Sequence, residues 1–212
     1  MNKKISTLQC VLTVVSVASI LLSNIVVGKQ IQLPLGITVS GGLFVFPISY
    51  ILSDLFSEVY GYKWSRFTCY LTFALNLFMV TVFTLVLKSP SASYFENQAA
   101  FEIVLGNTPR ILLASLIAYI LGDYVNDRIF RRMKNKHSGI DGFLSRAFIS
   151  SVCGGLVDTT VFGLIAFIGV LSIKDIIIIN VAETVLKLVY ELLVLPLTKR
   201  LTVATIKYEN EA

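Results

Sequence analysis

The chain has 212 residues, 55% of them hydrophobic and 15% charged, with a mean hydropathy of +0.78. About a quarter of the residues of an ordinary soluble domain are charged, so this balance excludes that class and points to the bilayer. The net charge of +5 does not indicate nucleic acid, because the basic residues fall in short stretches between apolar runs.

Six apolar segments follow in chain order, at roughly 5–27, 40–60, 66–87, 108–130, 144–170 and 176–198. The first opens with Lys3 and Lys4 like a signal peptide, but no small-x-small cleavage site follows and the run is long enough to span. It reads as a transmembrane helix. The second, Gly41 to Gly61, carries Pro47, Asp54 and Glu58 inside the crossing. Spaced by four, Asp54 and Glu58 share a helical face with Tyr50 and Ser57. The stretch from Lys88 to Thr108 is too polar to span and reads as a short amphipathic piece at the interface. Trp64, Tyr60 and Tyr62 cluster at one end of the second segment, where aromatic belts sit.

Charge sets the orientation. Lys3, Lys4, Lys63, Arg66, Arg128, Arg131, Arg132, Lys134, Lys136, Arg146, Lys199, Arg200 and Lys207 fall on one side of the six segments. Lys29, Lys88 and Lys174, with Arg110 near a helix start, fall on the other. The positive-inside rule then puts both termini in the cytoplasm, which requires an even number of crossings. The expectation is an all-α integral membrane protein, one polytopic domain over residues 1–212 with six transmembrane helices.

Within the segments, serines, threonines and glycines are accounted for by helix packing. Asp54, Asp158, Glu183, Lys187 and Glu191 are not: a charge near mid-membrane costs about 2.5–3.5 kcal/mol on insertion scales. Lys187 can reach Glu183 and Glu191 one turn away, or Asp158 on a neighbouring helix, and the remaining acids then still lack a cation. A polar cavity, filled by water or ligand, accounts for the set. Cys10, Cys69 and Cys153 lie far apart in apolar segments and His137 is the single histidine, which argues against a disulfide framework, a metal site and a catalytic triad. No hydrolase, metalloprotease, P-loop or dinucleotide motif appears, so the sequence does not read as an enzyme.

From Phe46 to Arg66, FPISYILSDLFSEVYGYKWSR, the sequence resembles the VUT, or queuosine-precursor transporter, family of small six-helix membrane proteins. The likeness extends along most of the chain. Ser23-Asn24, Arg110 with ASLIAYILGDYVNDRIF (114–130), Arg146 with VDTTVF (157–162), and Lys187 ahead of Pro196 resemble the family's blocks in order and spacing. One place departs: where the family pattern has glutamine followed three residues later by aspartate, this chain has Asp123 and Asn126.

The resemblance implies uptake of 7-deazaguanines (preQ0, preQ1, in some bacteria queuine or queuosine) across the bacterial inner membrane to supply tRNA modification. Such a base presents a ring N–H beside an exocyclic amine, which one carboxylate accepts as a forked pair. Its carbonyl suits an amide or a lysine, and its flat face suits aromatics such as Phe44, Phe46, Tyr50 or Phe162. The substrate-binding candidates are Asn24, Phe46, Tyr50, Asp54, Asp158, Thr159, Glu183 and Lys187. Glu58, Arg110 and Arg146 are the candidates for gating or proton coupling. No cofactor or metal is implied; the partners are the purine-like substrate and the bilayer, with homodimerisation left open and ATPases required only by the alternative. That alternative is a substrate-binding subunit of an energy-coupling-factor transporter; an intramembrane enzyme using Asp54 and Asp158 is the reading from another class.

Overall fold

A computed structural model of the chain describes residues 5–136 and 143–211. The helices are α1 (Thr7–Val26), α2 (Phe46–Leu55), α3 (Tyr62–Lys88), α4 (Gln98–Leu105), α5 (Thr108–Lys136), α6 (Phe143–Phe167) and α7 (Ile173–Glu211). The strand content among the described residues is one small hairpin, β1 (Gln30–Gln32) and β2 (Thr38–Ser40), folded around a 3-10 turn at Pro34–Gly36. Apolar runs in surroundings with no water to bond the backbone leave the helix as the stable form, and the glycines and prolines within them are tolerated where neighbouring helices pack.

Four stretches among the described residues are helical, long and apolar enough to cross a membrane: Thr7–Val26, Lys63–Lys88, Gln98–Asn126 and Ile149–Phe167. They fall on the first, third, fourth and fifth segments read from sequence. The other two segments are built differently. The second is a 3-10 turn (Gly41–Phe44), the ten-residue α2, and a π-helical turn at Phe56–Tyr60. Pro47 therefore sits in the first turn of a helix, where its missing N–H is no loss, rather than within a long one. The sixth lies inside α7, whose 39 residues would extend about 58 Å, well beyond the roughly 30 Å of a hydrocarbon core.

Asp54 and Glu58 thus lie in different helical geometries. Asp54 is in α2 and Glu58 in the π-turn, where bonding to i+5 ends the stacking of residues four apart. The shared α-helical face read from sequence does not continue through Phe56–Tyr60. Gly61 follows with φ 79°, a left-handed conformation that favours glycine, and starts α3.

By backbone contacts the chain divides into two compact units. The first comprises Met1–Ile31, Ser40–Thr108 and Val189–Ala212; the second comprises Gln32–Val39 and Pro109–Leu188.

In the first unit α1 is capped by Ser6, whose Oγ accepts from Gln9 N–H at 2.9 Å. The indole Nε1 of Trp64 donates to Thr13 Oγ1 at 3.2 Å, and Asn24 Nδ2 donates to Asn76 Oδ1 at 2.7 Å. Those two bonds lie eleven residues apart on α1 and twelve on α3, in the same direction, so the two helices run parallel. Between the bonds the seam is polar but neutral. Thr13, Ser19 and Thr72 are buried, and each donates its hydroxyl to the carbonyl four residues earlier, at 2.8 Å. Gly41 packs against α1 so closely that a Cβ there would stand 2.3 Å from the Val26 carbonyl oxygen.

The far end of α7 closes on the same unit. Glu209 Oε1 accepts from Ser6 Oγ and, at 2.8 Å, from Tyr60 OH. The start of α1, the end of the π-turn and the end of α7 therefore meet at one place. At the opposite end, Gln98 Nε2 of α4 donates to the Leu87 carbonyl at 3.3 Å, and Phe95 packs edge-on against Phe101 at 5.6 Å.

In the second unit α5 and α6 pack antiparallel through two glycines. A Cβ on Gly154 would lie 2.8 Å from both Asn126 Cβ and the Gly122 carbonyl oxygen; one on Gly122 would lie 3.0 Å from Asp158 Cβ. Small residues let backbones approach where lipid offers no hydrophobic drive for association.

Candidate functional site

The second unit holds the compact cluster of ionisable groups. Asp158 and Thr159 are adjacent on α6, and Glu183 and Lys187 lie one turn apart on α7. Lys187 Nζ donates to Thr159 Oγ1 at 3.0 Å. Thr159 is 2% exposed and Glu183 6%, so their polar atoms are withdrawn from the surroundings of the helix pair. Asp158 is partly buried and interacts electrostatically with both neighbours, attracted by Lys187 and repelled by Glu183. Among the described residues, two carboxylates stand against one ammonium, an acidic set when all three are ionised. Such a cluster can accept from a ligand's N–H groups while the lysine donates to a carbonyl. Phe162 lies one turn beyond Asp158 and packs edge-on against Phe167 at 6.0 Å.

Arg110 belongs to the same unit. Its Nε donates to the Ile165 carbonyl at 2.6 Å and its Nη2 donates to the Ile168 carbonyl. The last carbonyls of α6 lack donors in their own helix, and a guanidinium both bonds them and complements the negative end of the helix dipole. Gly169, at φ 79°, then turns the chain out of α6. This helix-end anchor fixes the α6–α7 connection, whereas from sequence Arg110 is a candidate for gating or proton coupling.

The first unit carries other predicted residues. Asn24, 8% exposed, and Asn76, 1% exposed, join α1 to α3 by their amides. An amide in each of two apolar helices was the signal that could have paired them from sequence. Glu58 is exposed in the π-turn. Phe46, Tyr50 and Asp54 lie on α2 and Arg146 on α6 by their backbones, and their side chains lie outside those described. His137 also lies outside the described residues. Sequence reading missed the bond of Glu209 to Ser6 and Tyr60, because nothing in the sequence connects positions so far apart.

A groove of about 380 Å³ opens between α1 and the end of α7, lined by Leu8, Val11, Leu201, Ala204, Thr205 and Tyr208 with Thr7. It contains none of the predicted residues. Its mostly apolar lining offers few groups to orient a purine-like ligand, so the acid–lysine cluster, not the groove, is the candidate site.

Long apolar helices with buried ionisable groups on packed faces define an α-helical membrane protein with a polar functional cluster. A family model described as "Putative vitamin uptake transporter" matches residues 40–201, and the chain belongs to that family. A curated relative from Bacillus subtilis (strain 168), "Probable queuosine precursor transporter", is 26% identical over 174 residues, which cover 82% of this chain and 76% of the relative. No solved structure matches the chain.

Proposed function

We propose that the protein imports 7-deazaguanine precursors of queuosine, such as preQ0 and preQ1, through the bacterial inner membrane for tRNA modification. The observation that carries this reading is the α6–α7 cluster: Lys187 bonded to Thr159 with Asp158 and buried Glu183 beside it. Two acids and one lysine within a membrane helix pair are costly to keep, and such groups mark substrate or ion sites. The name of the Bacillus subtilis relative supports the choice of substrate. In this reading Asp158 or Asp54 accepts the ring N–H and exocyclic amine, and Lys187 donates to the ring carbonyl. Glu58, Arg110 and Arg146 serve gating or proton coupling.

Six crossings with both termini in the cytoplasm are part of the same reading, and three observations support them. Ser6 and Tyr60 both bond Glu209, so the start of α1 and the end of α7 share one end, as an even number of crossings requires. Because α1 and α3 run parallel, the chain between Val26 and Tyr62 must return across the layer, by way of α2 and its flanking turns. Within the first unit Lys63, Arg66, Lys199, Arg200 and Lys207 lie close in sequence to Tyr60 and Glu209, which supports a basic end where the termini meet.

The test is tRNA queuosine content in cells lacking de novo synthesis, with and without this gene, fed each precursor in turn. Restoration that depends on the gene is expected. Equal queuosine in both strains for every precursor overturns the reading. Uptake by the purified protein in liposomes without ATP separates a stand-alone transporter from an energy-coupling-factor subunit.

A further inference from the structure

Asn180 stands in the α7 polar face at i−3 from Glu183 and i−7 from Lys187. Opposite it on α6, Gly163 lies one turn beyond Thr159, the residue that Lys187 bonds. The two helices meet there so closely that a Cβ on Gly163 would stand 2.1 Å from Asn180 Oδ1 and 2.7 Å from its Nδ2. The amide is therefore seated on the one residue type that leaves room for it. Asn180 is half-buried, and among the described residues its amide takes part in no hydrogen bond. A seated amide with both its donor and its acceptor available, beside an acid–lysine cluster, has the makings of a recognition group.

Its chemistry says what it can recognise. The carboxylates accept only, so they take the edge of a ligand that holds two donors. The lysine donates only, so it takes a carbonyl. A carboxamide pairs best with an edge carrying one donor and one acceptor side by side. On a 7-deazaguanine whose pyrimidine N–H and exocyclic amine are held by a carboxylate, that edge is the pyrrole N–H with the neighbouring pyrimidine ring nitrogen. The free base has both groups; a nucleoside, substituted at the pyrrole nitrogen, lacks the donor.

We propose that the Asn180 amide, seated on Gly163, reads the pyrrole N–H edge of the substrate and so selects the free base over the nucleoside. This rests on the 7-deazaguanine reading above. The amide is the specificity determinant, and Gly163 is its positioning partner.

The experiment is calorimetric binding to the purified full-length protein of 7-deazaguanine and of its pyrrole-N-methyl derivative. The wild type should prefer the free base by about tenfold or more, the worth of one or two hydrogen bonds. Asn180→Ala should weaken the free base about tenfold and leave the methylated compound unchanged, so that the preference disappears. Gly163→Ala, which displaces the amide and removes no polar group, should erase the same preference, and adding it to Asn180→Ala should change discrimination no further. Asn180→Leu, similar in size but without the acceptor, serves in place of the alanine variant should that variant not fold, and should lose the preference as well. A folded variant at position 180 that still discriminates overturns this inference and leaves the parent reading standing. A folded wild type that binds neither compound overturns both.

Discussion

Along α1 and α3 the buried polar groups are neutral, whereas along α6 and α7 they carry charge. Most of the first set is satisfied locally: hydroxyls bond the carbonyl one turn back and the two asparagines bond each other, with the buried Thr68 hydroxyl the exception. The second set is acid-rich within its own unit, with two carboxylates around one lysine. A neutral polar seam fastens helices at little electrostatic cost. Ionised groups within a membrane are costly and mark functional sites, and that difference separates scaffold from site.

The sharpest way to break the comparison is Lys187→Met. Removing the cation leaves Asp158 and Glu183 facing each other, so a loss of roughly 3 kcal/mol in stability and at least a hundredfold loss of uptake are expected. Detergent melting curves and precursor uptake measure the two effects. Adding Asp158→Asn should restore most of the stability and none of the uptake. Recovery of uptake would mean that the cluster is structural like the α1–α3 seam.

Next in size is Gly154→Ala. Its Cβ would meet Asn126 Cβ and the Gly122 carbonyl at 2.8 Å, and forced separation of α5 from α6 should lower stability by about 2 kcal/mol. Gly155, with open space where its Cβ would point, should accept alanine without loss in the same melting assay.

Smaller still is the amide pair. Asn76→Ala should cost about 1 kcal/mol and change ligand affinity less than twofold, since membrane side-chain bonds average below that value. Asn24→Ala sharpens the point: an affinity loss larger than that of Asn76→Ala, in the same calorimetric titration, assigns Asn24 to the ligand as well as to the seam.

The smallest effect is expected at Glu209→Leu. Loss of its bonds to Ser6 and Tyr60 should cost less than about 1 kcal/mol, with faster hydrogen exchange confined to the ends of α1 and α7. Uniform exchange across the chain would mean that the contact does not hold these ends together.

Much of the scaffold was legible before any geometry. Residue types at helical spacing in apolar runs place α1, α3, α5 and α6, since hydropathy and the backbone's need for internal hydrogen bonds act locally. The charged face of α7 was equally plain, because Glu183, Lys187 and Glu191 share it by spacing alone. The π-turn at Phe56–Tyr60 was not, because its composition is as helical as that of its neighbours.

By itself the sequence determined the membrane class, the helical elements and the polar residues, for these depend on composition and period. Only the tertiary structure decided which polar residues pair: Asn24 with Asn76, Thr159 with Lys187, Arg110 with the end of α6, and Ser6 and Tyr60 with Glu209. Partner choice depends on helix direction, register and the close approach that Gly122, Gly154 and Gly163 permit. Those are relations between distant parts of the chain, which no local periodicity encodes.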